Sequence, residues 1–145
     1  MALIFTDPNS AGPFSSFQVK DPDYKVFRVP FGLFVNGGGT PTLLGRLPAD
    51  SSIISIATWV KTALAGNTVS APTMSLGSAS SGTQFTSALA ITNTTGTYAV
   101  CTPVTGILQA YQVPLSQDID IWFLGACTSG PPTSGEVYVI VEYVR

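Results

Sequence analysis

Glu136-Val-Tyr-Val-Ile-Val-Glu-Tyr-Val144 is the stretch that decides the fold. Val137, Val139, Val141 and Tyr143 point one way, while Glu136, Tyr138, Ile140 and Glu142 point the other. That period of two belongs to a strand with one face on a core. Working outward, Tyr24–Phe31 sets Val26 and Arg28 against Phe27 and Val29 and stops at Pro30. Leu43–Leu47 is a second run, closed by Pro48. Ile53–Thr62 places Ile54, Ile56, Thr58 and Val60 on one face and Ile53, Ser55, Ala57, Trp59 and Lys61 on the other. Its β-branched and aromatic residues favour a pleated surface; the Ala and Leu of Ser51–Ala65 leave a short helix as the alternative. Thr73–Gly77, Tyr98–Thr102 and Ile107–Val113 are shorter candidates. Asp118–Leu124 alternates and then turns wholly apolar, as a strand would on entering a core from a wet edge.

Between these runs, 14 Gly and 11 Pro are scattered through 145 residues, so long helices have no room. Seven or eight short strands without βαβ spacing predict an all-β fold: an antiparallel β-sandwich, jelly-roll-like, over residues 24–145. Residues 1–23 read differently. Phe5, Phe14 and Phe17 lie among Pro8, Pro13, Pro22, Ser and Gly with no sustained period, which describes an extended N-terminal arm. Three exposed Phe are a liability on a soluble monomer. They are therefore the expected contacts to a neighbouring copy or a partner, with packing of the arm along its own domain as the alternative.

Charge is scarce. Six basic and eight acidic residues make 10% of the chain, against about 25% in typical proteins. Residues 62–117, 56 in a row, hold no Asp, Glu, Lys or Arg, and 121–135 form a second gap. Such a surface must be made of Ser, Thr, Gly, Asn and Gln, which enter a dry subunit contact without the desolvation cost of an ion. Mixed surface charge ordinarily resists self-association, so its absence points to a homo-oligomer or a lattice-attached protein. A net charge of -2 gives no basic footprint for nucleic acid. A mean hydropathy of +0.35 is far from that of disordered chains. No apolar run reaches the roughly 18 residues of a membrane span, and the start lacks the basic and apolar regions of a secretory signal.

The residues that carry chemistry are few. With no histidine, Ser-His-Asp triads and HExxH zinc sites are excluded. Asp118 and Asp120 share a strand face about 7 Å apart, but no calcium loop supplies further oxygens, and a solvated strand edge explains them better. Asp21 and Asp23 flank Pro22 in a turn. Glu136 and Glu142 stand about 20 Å apart along one strand, too far for the carboxylate pair of a glycosidase. The Gly-rich stretches 36–39 and 77–82 end in no GK[ST]. Cys101 and Cys127, 26 apart, read as small buried hydrophobes rather than a disulfide, and the Asn93-Thr-Thr sequon matters only in a eukaryotic secretory protein. Trp59 and Trp122, embedded in apolar strands, are expected in the core. No enzymatic activity, cofactor or metal is expected.

Leu47-Pro-Ala-Asp-Ser-Ser-Ile-Ile-Ser-Ile-Ala-Thr-Trp-Val-Lys-Thr62, Met74-Ser-Leu-Gly-Ser78, Asp118-Ile-Asp-Ile-Trp-Phe123 and Pro132-Thr-Ser-Gly-Glu-Val-Tyr-Val-Ile-Val-Glu-Tyr-Val144 together resemble the small β-sandwich virion proteins of tailed bacteriophages. The resemblance covers about residues 43–145, and its motifs are shared by head decoration (cement) proteins, head fibres and some tail components. Asp50 departs from it, standing where Gly is expected after Pro-Ala, and the arm matches no motif. The resemblance implies a trimer or other homo-oligomer on the capsid surface, made in the host cytoplasm and bound to the major capsid protein. The leading expectation is a cement protein that clamps neighbouring capsid subunits. The alternative is a tail or fibre module for a receptor or glycan, with Trp59, Trp122 or Tyr stacking on sugar rings.

Overall fold

A computed structural model describes residues 21–101 and 116–145. Nine strands follow one another: β1 (Asp23–Pro30), β2 (Phe34–Asn36), β3 (Thr42–Leu47), β4 (Ser52–Ala65), β5 (Ser70–Gly77), β6 (Thr86–Ala90), β7 (Tyr98–Val100), β8 (Ile119–Thr128) and β9 (Ser134–Val144), with one 3-10 turn at Phe31–Leu33. β1, β9, β4 and β7 form one sheet in that order; β2, β8, β5 and β6 form the second, to which β3 adds along β8. β3 lies antiparallel along Ile119–Phe123, and β2 continues the same edge along Gly125–Cys127. Counted as one position, they complete a jelly roll, in which successive strands alternate between the sheets except for the β5–β6 pair, which are neighbours in one sheet.

The all-β sandwich is as expected, with three corrections. Among the described residues there are nine strands, and one pairing, β2 on β8, is parallel. β2 and β6 were not anticipated. Three residues are too few to display a period, and Thr-Ser-Ala-Leu-Ala has almost no β-branched character. The Ile107–Val113 candidate lies outside the described residues, as does the arm at 1–20. Ser51–Ala65, for which a helix was the alternative, is strand for nearly all its length.

The core lies between the sheets. From β9 come Val137, Val139 and Val141, all fully buried, and from β1 Phe27 and Val29. β8 contributes Ile119, Ile121 and Phe123, the last edge-on to Phe34 at 5.5 Å between ring centroids. β5 adds Met74 and Leu76. Each such side chain contributes about 1.5–3 kcal/mol of transfer free energy, and together they form one cluster.

β4 departs from simple alternation. Opposite β9, Ile53 pairs with Tyr143 and Ser55 with Glu142, which leaves Ile54 as the extra residue of a bulge. Past it the phase flips, so Ile53 joins Ile56, Thr58 and Val60 inside, and Ile54 is exposed rather than on their face. β8 is also corrected. It is the central strand of its sheet, and alternate burial persists to Cys127 instead of giving way to an all-buried run. Trp59 and Trp122 accordingly sit half-buried on the outer faces, not in the core. Cys101 and Cys127 are free buried thiols. Burial pushes the Cys101 thiol up to about 12; Cys127 donates its S–H to the Gly130 carbonyl at 3.3 Å.

Candidate interaction surfaces

Strand directions give the sandwich two distinct ends. At one lie the connections 31–33, 37–41, 66–69, 91–97 and 129–133, and none of them contains Asp, Glu, Lys or Arg. Their polar groups bond to one another. The Leu64 N–H donates to Asn93 Oδ1 and Asn93 Nδ2 donates to the Leu64 carbonyl, both at 2.7 Å. The Ala63 N–H donates to Thr95 Oγ1, Asn67 Nδ2 donates to the Pro131 carbonyl, and the Thr133 N–H donates to the Ala65 carbonyl at 2.8 Å. Gly135, with φ of +116°, lies where an added Cβ would come within 2.6 Å of Leu64 Cα, so β9 passes close under this end.

The opposite end is ionic. Asp21, Asp23, Asp50 and Arg145 line an open cleft there, and Asp118 accepts the Ala49 N–H at 3.0 Å. Asp50 has φ of +66°, in the left-handed region. That conformation accounts for the Gly expected at this position, since Gly enters it without strain and Asp is among the side chains that tolerate it.

The outer face of the β1-β9-β4-β7 sheet is organised in rows. Val26, Ile140, Ala57 and Val100 align across the four strands, followed by Arg28, Tyr138, Trp59 and Tyr98. Tyr24 is 62% exposed, Val26 54%, Tyr98 59% and Val100 58%. Trp59 meets Tyr138 edge-on at 5.5 Å, and Lys61 Nζ donates to the Tyr138 hydroxyl at 3.0 Å. Toward the charge-free end Glu136 pairs with Arg28 and Lys61. A hydrogen bond from Tyr138, then Arg28 and Lys61, holds the Glu136 carboxyl below the usual carboxylate range against some opposing desolvation. At the other end of the rows Glu142 accepts hydrogen bonds from Tyr24 at 3.1 Å and Ser55 at 2.8 Å. The bond to Glu142 raises the Tyr24 hydroxyl above its ordinary pKa.

The chemistry-bearing candidates are held apart. Asp120 pairs with Arg46 and Asp118 caps a loop, so the two carboxylates serve different partners. Glu136 and Glu142 sit in separate networks. Asn93 of the sequon is spent on the Leu64 clamp. The Gly-rich turn after β2 runs its Gly37 and Gly39 N–H groups onto the Cys127 and Gly125 carbonyls. Phe5, Phe14 and Phe17 lie outside the described residues. What the sequence reading missed is the apolar row of Val26, Ile140 and Val100. Its signal was present: Val26 and Ile140 occupy the outward phase of strands whose inward phase is already apolar.

No family model and no curated protein matches the sequence. Among solved structures, the fold is similar to a chain of the cyanophage Pam1 capsid asymmetric unit, with a TM-score of 0.60 and 17% identity over 94% of this chain and 97% of that one. It is also similar to a chain of the capsid of Ralstonia phage GP4, with a TM-score of 0.51 and 12% identity over 86% and 84% of the two chains. At these identities what is shared is the fold: a single sandwich that accounts for most of all three chains.

Proposed function

We propose that this chain is a non-enzymatic structural protein of a phage virion, a decoration or cement protein that lies on the head surface and bridges neighbouring capsid subunits. The charge-free end carries this reading. Loops whose polar groups are satisfied internally can be pressed against another protein without stripping water from an ion. The fold held in common with chains of two phage capsids supports it. In this reading the charge-free end faces the shell and the acidic end faces water. Phe5, Phe14 and Phe17 of the arm anchor on a shell subunit or a neighbouring copy. The protein works as a homo-oligomer, for which the sequence resemblance implies a trimer. Mass spectrometry of purified virions tests the assignment, together with co-sedimentation of the protein with shells that lack it. Stoichiometric presence and saturable binding are expected; absence from the particle ends the reading.

A second reading, recognition of a glycan on a receptor, has one observation in its favour. Trp59 lies on an outer face beside Tyr138, Lys61, Arg28 and Glu136, an aromatic surface ringed by hydrogen-bonding groups of the sort that orients a ligand. Glycan-array binding would favour it, and a cement protein gives no such signal.

A further inference from the structure

We propose that the outer face of the β1-β9-β4-β7 sheet binds the same face of a second copy about a two-fold axis that runs along the strands between β9 and β4. The inference rests on the homo-oligomer part of the reading above but not on its trimer, because a face that binds itself about a two-fold axis closes at two copies. A two-fold contact sets each residue against its mirror position in the row. With the axis between β9 and β4, β1 lies over the partner's β7 and β9 over the partner's β4. The central row then puts Val26 on Val100 at both edges, apolar on apolar, with Ile140 over the position of Ala57, which is buried beneath its own neighbours. In the next row Arg28 lies on Tyr98, a cation over an aromatic ring, and Tyr138 lies on Trp59.

The charges select this axis over its rival. By register Glu136 comes opposite the uncharged Thr62 of the partner subunit, next to the partner's Lys61, and Glu142 comes opposite the uncharged Ser55 of the partner subunit. A two-fold axis at right angles to the strands would instead lay β9 on β9 reversed and bring Glu142 toward a second carboxylate, Glu136. Like charges facing each other across a contact oppose it. The chosen axis also keeps the two sandwiches aligned, as in face-to-face sheet packing. Both charge-free ends then point the same way, side by side. A pair so built presents two docking ends to one surface and has its symmetry axis normal to that surface.

The size of the face sets the strength of the contact. Four strands about 4.8 Å apart and the six residue steps from Tyr24 to Pro30 make roughly 400 Å² per copy, about half the roughly 800 Å² per partner of a standard interface. The pair is accordingly weak in dilute solution and strengthens where a common surface holds both copies.

Thiol crosslinking of the full chain, concentrated and bound to shells, tests the pairing. Val26→Cys and Val100→Cys are made singly and together and treated with a short-armed bis-maleimide. Within one chain the two positions are three strand spacings apart, about 14 Å, beyond such a reagent. The native thiols are buried and do not compete. Covalent dimer at least tenfold more abundant in the double variant than in either single variant is expected. No dimer in the double variant, or equal dimer in the singles, overturns the proposal. As an independent check, Val26→Lys weakens self-association in sedimentation and adding Val100→Glu restores it; no restoration also counts against the pairing. Binding to shells without the crosslink sinks the two-fold contact and leaves the virion reading standing. The crosslink without binding to shells does the reverse.

Discussion

The two ends of the sandwich solve the problem of loop polarity in opposite ways. At the acidic end Asp21, Asp50 and Asp118 face water, and the cleft lined by Asp21, Asp23 and Asp50 includes a single cation, Arg145. At the other end the loops hold no ion, and Asn93, Thr95, Asn67 and Thr133 spend their hydrogen bonds on neighbouring backbone. The difference separates two uses of polar residues. A carboxylate demands water or a cation; an amide or hydroxyl bonded to its own backbone demands neither and can be covered. The charge-free end is therefore ready to be buried, whereas the acidic end would resist it.

The largest effect is expected from making the ends alike. Thr94 is exposed among the charge-free loops and Gln117 is exposed beside Asp118. Thr94→Lys places an unpaired ammonium in the proposed shell contact, where desolvation of an uncompensated ion costs several kcal/mol. A loss of about 100-fold or more in shell affinity follows, with the melting temperature unchanged. Gln117→Lys adds the same charge to the acidic end and leaves affinity as it was. Titration of shells with both variants measures the difference. If Gln117→Lys is the damaging change, the orientation is inverted.

A second experiment sharpens the claim that the charge-free end is internally braced. Asn93→Ala removes both halves of the Leu64 clamp and leaves a part-buried N–H and C=O without those partners, at about 1–3 kcal/mol. Denaturant unfolding followed by Trp fluorescence measures it. A change of under about 0.3 kcal/mol would mean that water replaces the clamp and that the loops are not held by it.

Much of this architecture is legible in the sequence, but unevenly. β9 and β1 announce their inner faces because Val and Phe keep strict phase there against a polar or exposed partner set. β4 does not, because a bulge at Ile54 shifts the phase inside a run whose both faces are apolar, and only the pairing partner shows where the extra residue lies. The charge gap over 62–117 is visible along the chain. That 91–97 meets 31–33, 37–41 and 129–133 at one end is a consequence of strand order, which no local pattern encodes. The outer apolar row is hidden for a related reason. Val26, Val100 and Ile140 are scattered from position 26 to position 140 and become neighbours only through β9 and β4.

The smallest effect is expected at the acidic end, where sequence and structure meet on one residue. Asp50 takes the position at which relatives are expected to have Gly, and its φ of +66° is the conformation for which Gly is suited. Asp50→Gly relieves the left-handed strain of a side chain but increases the freedom of the unfolded chain, and the two terms are of similar size, about 0.5–1 kcal/mol each. It also removes one carboxylate from a cleft that holds Asp21 and Asp23, which favours the folded state in low salt. The net is a gain of about 0.5 kcal/mol or less at low ionic strength that shrinks as salt screens the remaining carboxylates. Asp50→Asn separates the parts: it removes the charge and keeps a side chain that tolerates the left-handed region, so it retains the salt-dependent portion and loses the rest. Unfolding of the three proteins at two salt concentrations gives the comparison. Equal stability of Asp50→Gly and the parent in low salt, with Asp50→Asn lower than both, would show that the carboxylate is held by partners rather than repelled by its neighbours, and would remove the contrast in charge from the acidic end.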